Sequence, residues 1–278
     1  MRLFVKRFAG WIAASAIAFA AGGVLVATAQ NQTIQMTQSA AQVASQWARD
    51  RGDLPSDPDY ILGTLPNGMR YLVLRNFTPP RQVAIRMMID AGSMQERPGE
   101  EGVAHFLEHL AFRGTEAYPD GKLMEELEKL GLQMGADVNA ATGPDSTTFQ
   151  LDMARNDPGS IDTGLSVVRD IVSAMTIAPD AVNKERGVVL AEERSRAGPE
   201  FEATMAMLKL ELGDHPYGRP PIGLRKVIET VTPETIRKFY DAYYRPERAV
   251  LLIVGDVNAQ TLIPQINAKF GNWKGRGS

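Results

Sequence analysis

The chain has 278 residues, 44% of them hydrophobic and 23% charged, proportions that fit a globular protein and exclude a disordered or collagen-like chain. Thirty Lys and Arg stand against 33 Asp and Glu, for a formal charge of −3 with no dense basic run, so nucleic acid is not an expected partner. The absence of cysteine excludes disulfides, thiolate nucleophiles and Cys-ligated metals.

The N-terminus reads as an export signal. Arg2, Lys6 and Arg7 precede an uncharged run from Phe8 to Gln30, which closes on the small residues Ala27-Thr28-Ala29. Cleavage after Ala29 removes three cations and leaves an acidic exported protein of charge −6. The alternative is a retained membrane anchor, since the run reaches the roughly 20 residues a span requires. Residues 30–58 are polar and read as a linker, with at most a short helix around Ala41 to Ala48.

From Leu62 onward, short strands and helices alternate. Asn67-Gly68 marks a tight turn, followed by strands predicted at Met69 to Arg75 and Val83 to Asp90. Apolar residues at helical spacing predict helices at Gly102 to Phe112 and Lys122 to Leu130, where Glu125, Glu126 and Glu128 form a solvated face. A third strand is expected at Thr147 to Met153. Helices then follow over Ile161 to Met175 and Asp180 to Arg194, the latter with Pro179 in its first turn. Pro233 to Tyr243 reads as helix, Ala249 to Val254 as a buried strand and Ala259 to Phe270 as the last helix. This order predicts an α+β fold with a mostly antiparallel sheet covered by helices.

The chemistry concentrates in His105-Phe106-Leu107-Glu108-His109. On a helix, the two imidazoles lie one turn apart on one face with Glu108 beside them, which makes half of a divalent-metal site. Imidazole suits zinc, and a catalytic zinc takes three protein ligands with one position open. The missing ligand is expected on a helix packed against this one. Glu185 and Glu192 are seven residues apart, share a helix face, and are both candidates. Gly187, in that helix's interior, suggests close approach of the metal-bearing helix. His215 reads as a turn residue, and Tyr243 and Tyr244 as a helix end.

His105 to His109, followed by Glu185-Arg186-Gly187-Val188-Val189-Leu190-Ala191-Glu192, resembles the pitrilysin/insulinase zinc peptidases, in which the thermolysin-type motif is inverted. Leu65-Pro66-Asn67-Gly68, Phe112-Arg113-Gly114-Thr115, Val138-Asn139-Ala140, His215-Pro216-Tyr217-Gly218 and Val254-Gly255-Asp256 extend the resemblance over about Asp59 to Trp273. It implies a zinc endopeptidase acting on extended peptides or small unfolded proteins. His105, His109 and Glu192 are then the ligands of one Zn²⁺, Glu108 the base that activates water, and Glu185 a supporting catalytic glutamate. One departure is the 83-residue separation of His109 from Glu192, longer than in many members. The extra length is placed in the loop from Leu130 to Asp145, a stretch read as loop.

In this family a substrate strand adds to a sheet edge beside the metal, which implies that Asn139 and Ala140 contact substrate backbone. Residues 59–275 correspond to one catalytic half-domain. The resemblance implies a second homologous half-domain as partner, in the same chain or as a separate subunit. The expected location is the bacterial periplasm, with membrane association only if the N-terminal segment is retained. A non-hydrolytic peptide-binding or assembly subunit is the alternative function.

Overall fold

The computed structural model describes residues 59–277. The signal, anchor and linker expectations for residues 1–58 lie outside the described residues.

Six strands form one sheet: β1 (Tyr60–Thr64), β2 (Arg70–Arg75), β3 (Val83–Ile89), β4 (Val138–Thr142), β5 (Thr147–Met153) and β6 (Ala249–Gly255). Their spatial order is β1-β2-β6-β3-β5-β4. Only β2 and β6 run parallel, and the other four pairings are antiparallel. Among the described residues, eight helices accompany the sheet: α1 (Val103–Leu110), α2 (Lys122–Lys129), α3 (Pro158–Ser173), α4 (Pro179–Arg196), α5 (Pro199–Leu212), α6 (Arg225–Thr230), α7 (Pro233–Tyr243) and α8 (Ala259–Phe270). The α+β, mostly antiparallel expectation holds.

Alternation decides the layers. In β3, Val83, Ile85, Met87 and Ile89 are buried, while Ala84, Arg86 and Met88 between them are only partly so. The buried series joins Phe149 of β5 and Phe106, Leu107 and Leu110 of α1 in one core, and Arg86 on the other face pairs with Asp152 at 2.6 Å. β6 lies between β2 and β3, and its run Ala249 to Leu251 is buried without alternation.

Helix starts follow local chemistry. Asp157 caps α3 through the Ser160 N–H at 3.0 Å and Thr232 caps α7 through Thr235, each with proline in the first turn. Pro179 opens α4 as predicted.

Several elements depart from the expectation. β1 extends the sheet beyond β2, and Val138–Thr142, expected as loop, is the edge strand β4. Val138-Asn139-Ala140-Ala141-Thr142 is short and carries one fully buried side chain, so pairing with β5 makes the strand rather than its own pattern. α5 was also not expected. None of its residues is buried, so no apolar stripe marks it. The six-residue α6 is too short to show a period.

Candidate metal centre

α1 is the most enclosed helix of the fold, with seven of its eight residues buried and His109 half-buried. It packs against α4, α7 and β4. That packing sets the two imidazoles beside the inward face of α4. His105 Nε2 and His109 Nε2 are 3.2 Å apart, and Glu192 Oε2 lies 3.1 Å from His109 Nε2 and 3.5 Å from His105 Nε2. Three donor atoms thus converge on one point, the arrangement of a His₂Glu metal centre. The set suits zinc in donor type and number.

Glu185 is only 3% exposed and occupies the same face of α4 two turns earlier. Its Oε1 accepts from His109 Nδ1 at 2.8 Å and its Oε2 accepts from Arg113 Nε. Of the two candidate glutamates, Glu192 is the one at the imidazole Nε2 atoms, whereas Glu185 braces the far side of one ring. Glu108 stands apart from the cluster. It is 9% exposed, and its Oε2 accepts from Thr142 Oγ1 at 3.0 Å.

The charges follow from this enclosure. Burial, reinforced by the neighbouring His109, pushes His105 below the usual imidazole range. Burial also pulls on His109, but its hydrogen bond to Glu185 and the Glu108, Glu185 and Glu192 carboxylates outweigh it and raise that ring. Glu108 is raised by burial, against the pull of His109 and Thr142. For Glu192, burial is outweighed by His105, Arg196 and His109, which hold the carboxyl low.

A cleft lined by Glu108, His109, Phe112, Met124, Met134, Asn139 and Ala140 opens beside the donor cluster. Asn139 and Ala140 belong to β4, which among the described residues has β5 on one side and no strand on the other. The Ala140 N–H is directed away from β5 and is held by Asn139 Oδ1 at 2.9 Å. His215 is a turn residue whose Nδ1 accepts from Tyr217 N–H at 3.2 Å, and Tyr244 is buried.

The structure corrects the reading of Gly187. A Cβ built there meets nothing within 4 Å. Gly187 lies two residues, some 200° of helix, from Glu185 and is exposed on the opposite face. Sequence reasoning also missed Arg113, Arg196 and Thr142 as partners of the site. Arg196, four residues after Glu192 on α4, was findable from helix spacing. Thr142 was not, because its strand was not expected.

Residues 71–209 match the family model described as insulinase (peptidase family M16), and residues 230–277 match the peptidase M16 inactive domain. The chain is similar to the probable zinc protease PqqL of Haemophilus influenzae, at 35% identity over 212 residues, and to that of Escherichia coli, at 34% over 214. These alignments cover 76% and 77% of this chain, which spans 23% of each relative's length. Among solved structures, the first half of the periplasmic protease PqqL from Escherichia coli matches with a TM-score of 0.78 at 32% identity, covering 82% of this chain and 49% of that one. The chain belongs to the insulinase (M16) family of peptidases.

Proposed function

We propose that this chain is the metal-binding catalytic half-domain of an exported zinc endopeptidase that hydrolyses peptide bonds of extended peptides or small unfolded proteins. The observation that carries the reading is the convergence of His105, His109 and Glu192 within 3.5 Å, with the Glu108 carboxylate beside them and outside the cluster. Its relatives named as zinc proteases support the same activity.

His105 and His109, each through Nε2, and Glu192 would hold the ion. Zinc supplies Lewis-acid polarisation of a carbonyl and lowers the pKa of water. Glu108 takes the proton from the attacking water and passes it to the leaving amine. Burial raises its carboxyl above the ordinary carboxylate value, the direction that strengthens a general base. Thr142 fixes one Glu108 oxygen and leaves the other for the proton. Glu185 keeps His109 oriented with Nε2 towards the cluster.

Substrate lies extended along the free edge of β4, where the Ala140 N–H exchanges its bond to Asn139 for a substrate carbonyl. A second half-domain of the same type closes over the peptide. The solved relative named as a first half, of which the match covers 49%, supports that partner. A periplasmic relative and the basic-apolar N-terminus support export. Residues 59–275 form the half-domain. No helix among the described residues is long and apolar enough to cross a membrane.

The test is metal analysis of the purified chain, with peptide cleavage measured with and without chelator and with and without a second half-domain. Zinc at one equivalent and chelator-sensitive cleavage are expected. Cleavage that survives complete zinc removal overturns the reading.

A further inference from the structure

A buried carboxylate from outside the helix holds the start of α1. The helix begins at Gly102, whose φ of 102° places it in the left-handed region and which has no side chain to cap the free N–H groups. Glu96, 3% exposed, supplies the cap: its Oε1 accepts from the Ala104 N–H at 2.9 Å, one residue before His105. The same segment is tied to a distant loop. Arg219 Nη1 donates to the Glu96 carbonyl at 3.1 Å, and the Leu224 N–H donates to the Glu101 carbonyl at 3.2 Å. A Cβ at Gly102 would come within 2.9 Å of Gly223 Cα, so the two backbones touch.

The two imidazoles are supported unequally. A histidine that binds metal through Nε2 carries its proton on Nδ1, and its orientation is ordinarily fixed by an acceptor at that atom. Glu185 fills this role for His109. Among the described residues, His105 Nδ1 is buried without a hydrogen-bond partner. The orientation of His105 therefore depends on where its backbone is held.

We propose that Glu96 is a positioning residue of the metal centre: by capping Ala104 it fixes the turn of α1 that carries His105, as Glu185 fixes the ring of His109. This inference rests on the metal-site reading above. It assigns a role to a carboxylate that touches neither the ion nor the substrate.

The test is zinc affinity of the 278-residue chain, measured by competition with a chromophoric chelator, for Glu96→Gln, Glu96→Asp and Glu96→Ala. Thermal unfolding of each chain in chelator reports stability separately. Gln retains the length and the acceptor oxygen, and is expected to bind zinc within about threefold of the parent chain. Asp keeps the carboxylate but is too short to reach Ala104, and Ala removes it. Both are expected to bind about tenfold or more weakly, the range for residues that support metal ligands. Should Glu96→Ala fail to fold, the Asp and Gln comparison carries the test. Asp and Gln chains binding as tightly as each other overturn the proposal. A parent chain that binds no zinc overturns the metal-site reading instead.

Discussion

His109 Nδ1 donates to Glu185 Oε1 at 2.8 Å, which leaves Nε2 of the same ring directed at Glu192 and His105. The bond selects one tautomer and one ring orientation, and against the pull of burial the hydrogen bonds from His109 and Arg113 hold the Glu185 carboxyl below its ordinary value. Glu185→Ala is therefore expected to weaken zinc binding by about 10- to 100-fold while the fold persists. A chelator-competition titration with circular dichroism as control checks this. Unchanged zinc affinity would assign Glu185 to the packing of α4 alone.

Glu108 lies in the cleft but outside the donor cluster, so removing its charge should separate chemistry from metal binding. Glu108→Gln keeps the shape and the acceptor for Thr142. It is expected to retain one zinc per chain and to lose about 10²- to 10⁴-fold in turnover wherever the parent is active. Loss of zinc in this variant would make Glu108 a ligand, and undiminished turnover would remove it from the mechanism.

Most of the site was legible because α1 and α4 carry their information locally. The i, i+4 histidines and the seven-residue spacing of Glu185 and Glu192 follow from the helical period alone. The assignment between those glutamates needed the family resemblance, since both share one face. What remained hidden depends on tertiary pairing. β4 becomes a strand only against β5, which hides both Thr142 and the free edge beside the cleft. Glu96 acts across eight residues to the Ala104 amide, a reach with no periodic signature. The α4 glycine misled for a related reason: a residue's place within a helix does not say what lies opposite it.

That error yields a stability prediction. Gly187 sits in a helix interior with open space where a Cβ would go, so Gly187→Ala is expected to stabilise the chain by about 1 kcal/mol. Gly102→Ala forces a side chain into the left-handed region and within 2.9 Å of Gly223 Cα and the Ile222 carbonyl. It should destabilise by at least about 1–2 kcal/mol. Urea unfolding of both variants in chelator checks the pair, and a destabilised Gly187→Ala would restore a close-contact role for that position.

Glu96 also predicts how stability depends on pH. Burial pushes its carboxyl from 4.5 up to about 8, against the pull of the Ala104 and Gly102 amides and of Arg219. The folded chain therefore holds this proton more tightly than the unfolded chain does. The stabilisation is fully present below about pH 4.5, where both states are protonated, and erodes as the pH rises towards 8. Glutamine is neutral throughout and has no such dependence. The parent chain, compared with Glu96→Gln in chelator, should lose roughly 3–5 kcal/mol of relative stability between pH 4.5 and 8. Denaturant unfolding across that interval reads the difference directly. Parallel pH curves for the two chains would mean that Glu96 titrates alike in both states, and a relative gain with rising pH would mean that the helix terminus and Arg219 overcome burial.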